Sequence, residues 1–220
     1  MSGRRVGLFG GSFNPPHLGH VSAARRAGEA LALDTLVLMP AGTPPHKPLP
    51  QGTPSPADRL ALAKLAFASL PNACVSDREL AATGPNYTVD TLDWLRETYP
   101  QAALTLVMGT DMFLTLHEWR RAEDILGTAG IAVLARAEGQ DATLKAQAAF
   151  LAHRFGASIA LIPHTPVDVS STTLRALLRT GGGRAYLSEP VCDYIRARGL
   201  YGVSEGGGLR TDENAGDGPC

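Results

Sequence analysis

Six short runs of apolar residues punctuate the chain: Arg5–Gly10, Thr35–Ala41, Ala73–Asp77, Ala103–Gly109, Gly130–Arg136 and Ala157–Pro163. Runs this short, apolar at successive positions and closed by Gly, Pro, Asp or Arg, read as strands buried on both faces. Between them the apolar positions fall at helical spacing over His17–Leu33, Pro56–Leu70, Thr88–Tyr99, Met112–Leu126 and Ala142–Phe155. The second of these opens with Ser55-Pro56-Ala57-Asp58, an N-cap followed by an N1 proline and an N3 acid. Alternating strand and helix predicts an α/β fold, a doubly wound and mostly parallel sheet of Rossmann-like topology with right-handed crossovers. In such a sheet ligands sit at the carboxyl ends of the strands, so functional residues are sought just after each apolar run.

Two segments break the rhythm. Pro40–Arg59 carries seven prolines, which forbid a helix before Ser55 and predict a long extended loop at the end of the second strand. After Tyr201 the sequence lacks aromatic residues and apolar periodicity, and a disordered tail is expected. The domain is accordingly drawn over residues 1–201 and the tail over 202–220. No internal repeat is present, and 220 residues with 44% hydrophobic content suffice for one filled core.

Charge narrows the partners. A net charge of −1 and a pI near 6.6 argue against nucleic acid or an anionic membrane as the main partner and favour a small ligand, leaving a homo-oligomer open. Cys74, Cys192 and Cys220 form neither a CxxC pair nor a disulfide framework, as suits a reducing compartment. No run of about 18 apolar residues and no signal-peptide core occurs, so the expected location is the cytoplasm.

The chemistry concentrates in "GLFGGSFNPPHLGH", Gly7–His20. Gly10, Gly11, Ser12 and Phe13 lie between a strand and a helix, where glycine lets main-chain N–H groups approach an anion and the helix terminus adds positive potential. His17 and His20, three apart at the start of that helix, can offer donors to one phosphorylated ligand, and Gly19 between them suggests room for a flat group. The spacing is not that of a P-loop or of GxGxxG, and Met39-Pro40-Ala41 stands where a dinucleotide fold places its ribose-binding acid. His17, His20 and His46 have no carboxylate or thiolate at supporting spacing, so no protein metal site is expected.

With Asn14-Pro15 and His17-Leu18-Gly19-His20 together, the stretch resembles the nucleotidyltransferase superfamily marked by HxGH. "VSSTTLR", Val169–Arg175, resembles its second motif. "PPHKP" (44–48), "NYTVDTL" (86–92) and "MGTDMFLTLHEW" (108–119) narrow the resemblance to the bacterial nicotinate-nucleotide adenylyltransferases, over residues 4 to about 201. That resemblance implies nucleotidyltransferase topology and transfer of AMP from ATP to nicotinate mononucleotide, releasing pyrophosphate, in NAD biosynthesis. It implies Mg²⁺ carried on the ATP phosphates. His17, His20, Lys47 and Arg175 would act on the phosphates; Gly10, Gly11, Ser12, Phe13, Gly109, Asp111, Ser171 and Thr172 would bind ATP; His46, Tyr87, Thr88 and Trp119 would bind the acceptor.

Each residue also has a plainer reading. Ser-Ser-Thr makes an ordinary N-cap, Asp111 can cap the helix after its strand, Lys47 can be a solvated loop charge, and a helical Trp119 can belong to the core, where Trp94 is placed. Relatives often carry Arg at the position of Ala82 and Ser at that of Asn86, departures that bear on the choice between nicotinate and nicotinamide mononucleotide. Another phosphorylated acceptor, such as phosphopantetheine, FMN or a cytidylyltransferase substrate, and an ATP-binding module without catalysis, are the competing functions.

Overall fold

The computed structural model describes residues 3–44, 49–135 and 141–204. Six strands, β1 (Arg5–Gly11), β2 (Thr35–Pro40), β3 (Ala73–Val75), β4 (Ala103–Gly109), β5 (Gly130–Ala135) and β6 (Ile159–Pro163), form one parallel sheet in the order β3-β2-β1-β4-β5-β6. Successive strand residues face opposite sides, and both sides are apolar, which is why each strand reads as an unbroken run. Val6, Leu8, Val37, Leu106 and Val133 enter one core, and Phe9, Leu38, Val107, Ala132 and Leu134 the other.

On the face that takes Phe9 pack α1 (Leu18–Ala30), α2 (Pro56–Phe67), α8 (Ser171–Arg179) and α9 (Glu189–Ala197). The opposite face is covered by α4 (Thr88–Thr98), α6 (Ala122–Thr128) and α7 (Asp141–Phe155). Two short helices, α3 (Arg78–Ala81) and α5 (Thr110–Leu114), follow the ends of β3 and β4. The expected start of α2 is found: Pro56 is N1 and the Ser55 hydroxyl accepts from the Asp58 amide at 3.1 Å. Asp58 is then buried under α9, where Tyr194 and Arg198 donate to it at 3.0 and 3.2 Å. The Ser55 hydrogen bond is the main cause holding its carboxyl below the usual range.

The single helix expected over Met112–Leu126 is broken. α5 ends at Leu114, a 3₁₀ turn spans Leu116–Glu118, Trp119 is extended, and Arg121 adopts left-handed backbone at φ 54° before α6 begins. Thr115, His117 and Trp119 are weak helix formers. The break keeps Phe113 and Leu116 buried while turning Trp119 toward the carboxyl ends of the strands. Arg121 fixes the corner through Asp124 at 2.6 Å and Asp93 at 3.2 Å. Beyond α9, Tyr201 and Val203 are buried in the core.

Candidate functional site

β1 and β4 are neighbours whose following crossovers run to opposite sides, so a crevice opens between their carboxyl ends. Two hollows meet there, sharing Phe9, Gly109 and Met112. One, of about 430 Å³, is lined by the loop after β1, the start of α8 and Trp119. The other, of about 480 Å³, is lined by His17, His20, Asp111 and the segment after β6. A Cβ at Gly109 would meet nothing within 4 Å, so the strand end stays open to both.

The loop after β1 is held from within. Phe13 is fully buried with φ 43°, and its ring makes edge contacts with Phe9, Phe67 and His20. Left-handed backbone is costly for a bulky residue, and this packing offsets it. Arg59, 2% exposed on α2, donates through Nη2 to the carbonyls of Ser12 at 2.6 Å and Ala41 at 2.5 Å. Asn14 is buried, donates to the Thr53 hydroxyl at 2.8 Å, and leaves its Oδ1 without a partner among the described residues.

The two imidazoles are stacked, with centroids 3.8 Å apart. His17 is the N-cap of α1, and its backbone N–H donates to His20 Nδ1 at 3.2 Å. With Nδ1 accepting, neutral His20 carries its proton on Nε2. Burial lowers the pKa of His17 to about 4. Burial, then the neighbouring His17, pushes His20 well below the ordinary histidine range. His17 Nδ1 is buried without a partner among the described residues. The space beside Gly19 is taken by His17 itself: a Cβ there would lie 3.0 Å from its ring. The flat group expected against Gly19 therefore meets the imidazole instead.

The far end of the chain closes on the same loop. Ser170, one residue before the pair singled out in the sequence, is the N-cap of α8, its hydroxyl accepting from the Thr173 amide at 3.0 Å. Ser171 is thereby free to donate to the Pro15 carbonyl at 3.1 Å. Arg175 donates to the Asn14 carbonyl at 2.7 Å and to the Thr172 hydroxyl at 3.2 Å. Ser171, Thr172 and Arg175 line the first hollow with Gly10, Gly11 and Ser12.

Its opposite wall carries Thr88, Asn86, Glu79 and Trp119. Thr88 is N1 of α4, with Tyr87 as N-cap. The Tyr87 ring lies under the Arg120 guanidinium, 4.4 Å away, and Tyr87 lines an adjoining hollow with Ala82 and Trp94, which shares Glu79 and Asn86 with the first. Trp94 is partly buried against the core, beneath Arg78. Asn86 grips the loop after β2: the Thr43 N–H donates to its Oδ1 at 2.7 Å, and its own N–H donates to the Thr43 carbonyl at 2.9 Å. Glu79 accepts from the Thr91 hydroxyl at 2.7 Å, and burial raises its carboxyl pKa. Asp111 sits in the first turn of α5 with its side chain unused as a cap, Gly109 being the N-cap. His46 and Lys47 lie outside the described residues. Arg59 and Glu79 were not signalled as site residues by any motif. For Arg59 a signal existed, since it stands on the buried stripe of α2 with Leu62, Ala63 and Ala66.

A cytidylyltransferase-like family model matches residues 8–177. The "probable nicotinate-nucleotide adenylyltransferase" of Gloeobacter violaceus is 40% identical over 93% of this chain and 99% of its own length. Its counterpart from Laribacter hongkongensis is 42% identical over 89% and 94%. The solved nicotinic acid mononucleotide adenylyltransferase of Plasmodium falciparum, complexed with NaAD, superposes with a TM-score of 0.71 at 16% identity, covering 91% of this chain and 98% of that one; this likeness concerns the fold. Matched in sequence over nearly their whole lengths, and built on the same sheet, the chain belongs to the cytidylyltransferase-like family, among the bacterial nicotinate-nucleotide adenylyltransferases.

Proposed function

We propose that the protein transfers AMP from ATP to nicotinate mononucleotide, giving nicotinate adenine dinucleotide and pyrophosphate. The observation that carries this reading is the convergence on one crevice of a buried and a half-buried imidazole, the loop after β1, and Ser171, Thr172 and Arg175, all beside a wall bearing Trp119 and Thr88. Polar atoms buried without partners, such as His17 Nδ1, favour a polar ligand there. A 5′-phosphate oxygen of the acceptor attacks the α-phosphorus of ATP, the bond to the bridging oxygen breaks, and pyrophosphate leaves with the electron pair. No side-chain nucleophile is needed, so catalysis consists of alignment and charge stabilisation.

His20, with Nε2–H as donor, serves the α-phosphoryl group, and His17 stands beside it. Ser171, Thr172 and Arg175 hold the departing phosphates at the start of α8, and Gly10 and Gly11 at the end of β1, with the Ser12-Phe13 turn after them, supply main-chain donors. Asp111 offers its carboxylate to ribose hydroxyls beside Gly109. Trp119 stacks on the pyridine ring, and the α4 terminus at Tyr87-Thr88 receives its carboxylate. Lys47 and His46 enter on sequence resemblance alone. Ser12 and Thr172 line one hollow and Asp111 the other; residues with oxygen donors suit a hard cation, and Mg²⁺ carried on the triphosphate would neutralise its charge. We place the protein in the cytoplasm; among the described residues no helix is long and apolar enough to cross a membrane. We extend the catalytic domain to Val203, whose side chain is buried in the core, two residues beyond the boundary expected at Tyr201.

Pyrophosphate release measured with ATP, Mg²⁺ and either nicotinate or nicotinamide mononucleotide tests the reading. A marked preference for the acid is expected. Equal rates would move specificity to Ala82 and Asn86, and no release with either would refute the reaction.

A further inference from the structure

Arg59 is the largest fully buried side chain in the protein's described residues, yet it carries a charge. Burying a guanidinium is expensive unless its protons are used; here Nη2 spends both on main-chain carbonyls, those of Ser12 and Ala41, while Nε is buried without a partner among the described residues. These carbonyls belong to the loops leaving β1 and β2. Ser12 and Ala41 line the crevice, whereas Arg59 stands behind them.

In a trans peptide the carbonyl and the following N–H point in opposite directions. A Ser12 carbonyl drawn to Arg59 therefore turns the Phe13 N–H away from the guanidinium, and the Ala41 carbonyl does the same for the Gly42 N–H, Phe13 itself being fully buried and Gly42 packed against Glu79 and Asn86. Neither N–H has a hydrogen-bond partner among the described residues. The φ of 43° at Phe13 marks a backbone that would not hold this orientation unaided.

We infer that Arg59 is a positioning residue of the proposed reaction: by gripping the Ser12 and Ala41 carbonyls together, it joins the loops leaving β1 and β2 where they line the crevice and sets the orientation of the Ser12–Phe13 and Ala41–Gly42 peptides. This rests on the reading of the Gly10–Phe13 loop as a phosphate site. Arg59 itself touches no substrate. Its neighbour Asp58 is engaged separately by Ser55, Tyr194 and Arg198, so the guanidinium is not held in place as half of an ion pair with it.

The test compares wild type with Arg59→Lys and Arg59→Met. Three quantities are read: kcat and KM for ATP well below the melting temperature, the melting temperature itself, and the ¹⁵N-resolved Phe13 amide resonance titrated with inorganic pyrophosphate. Misplacing the two crevice loops should cost about 10²-fold in kcat for Arg59→Met and roughly tenfold for Arg59→Lys, which keeps the charge but not the fork. The Phe13 response to pyrophosphate should weaken in parallel. If Arg59→Met fails to fold, Arg59→Lys and its Phe13 resonance decide. A folded Arg59→Lys protein with wild-type kcat and an unaltered Phe13 response overturns this inference alone. A wild-type Phe13 amide indifferent to pyrophosphate overturns it together with the phosphate-loop reading, and an inactive wild type whose Phe13 amide still responds would refute only the assigned reaction.

Discussion

Replacing His17 with Asn should change how stability depends on pH, and the structure sets the size of the change. His17 is 7% exposed, and burial lowers its pKa from 6.5 to about 4. In the unfolded chain it takes up a proton as pH falls through about 6.5, while in the folded protein it stays neutral until about 4. The unfolded state thus binds more protons across this window. Stability is full above the upper value, falls as pH drops, and reaches its whole loss below the lower one. The difference corresponds to about 3 kcal/mol, or roughly 6–12 °C in melting temperature for a chain of this size. Asn is a good N-cap and keeps the start of α1. Urea denaturation of both proteins at a series of pH values from 7.5 to 4 is the assay. Subtracting one profile from the other removes the carboxylates common to both, and the wild type should lose up to about 3 kcal/mol more than the variant. Parallel profiles would refute the argument, because they would mean that His17 is as well solvated folded as unfolded.

Further outcomes follow from the same geometry. His20→Ala should lower kcat about 10²- to 10³-fold, as expected for one lost transition-state donor; a loss confined to KM for ATP would count against that role. Trp119→Ala should raise KM for the acceptor about 2- to 10-fold with kcat nearly unchanged, the worth of one aromatic stack, in steady-state kinetics at saturating ATP. Gly42→Ala would put a Cβ 1.9 Å from the Glu79 carbonyl oxygen and 2.6 Å from Asn86 Oδ1. That should destabilise by about 1–3 kcal/mol in urea titration and raise KM for the acceptor, whose wall the clash displaces. Activity should vanish on adding EDTA and return with Mg²⁺, and full activity in excess chelator would contradict a metal carried on the phosphates.

The strands were legible because double-sided burial writes them as unbroken apolar runs, and Ala103–Gly109 matches its expected bounds fully. The α2 start was equally plain, since Ser55 and Pro56 act locally. The corner at Trp119 was not, because its cause is tertiary: Arg121 is held by Asp93, 28 residues away. α9 carries a start signal in Ser188-Glu189-Pro190 and a buried stripe of Val191, Cys192 and Ile195. The alternation of strand and helix does not predict it, because it follows the last strand. At the site, motifs named the residues that the structure gathers around the crevice, such as His17, His20, Ser171, Thr172, Arg175 and Trp119. They could not name Arg59, whose partners are 47 and 18 residues away, nor show that Tyr87 sets its ring under Arg120 and lines the adjoining hollow.

The bonds from Ser171 to Pro15 and from Arg175 to Asn14 join residues 156 and 161 apart in sequence. A ribosome making the chain from its N-terminus at about 5–20 residues per second delivers the histidine pair roughly 8–30 seconds before the arginine proposed to complete the phosphate grip. Closing so long a span adds little entropy cost, since that cost grows only with the logarithm of its length. The delay is one of order rather than of energy. A nascent chain halted near residue 150 would hold five of the sheet's six strands and both imidazoles, with no cation yet delivered by α8, so on the proposed roles nucleotide capture becomes a property of the finished polypeptide.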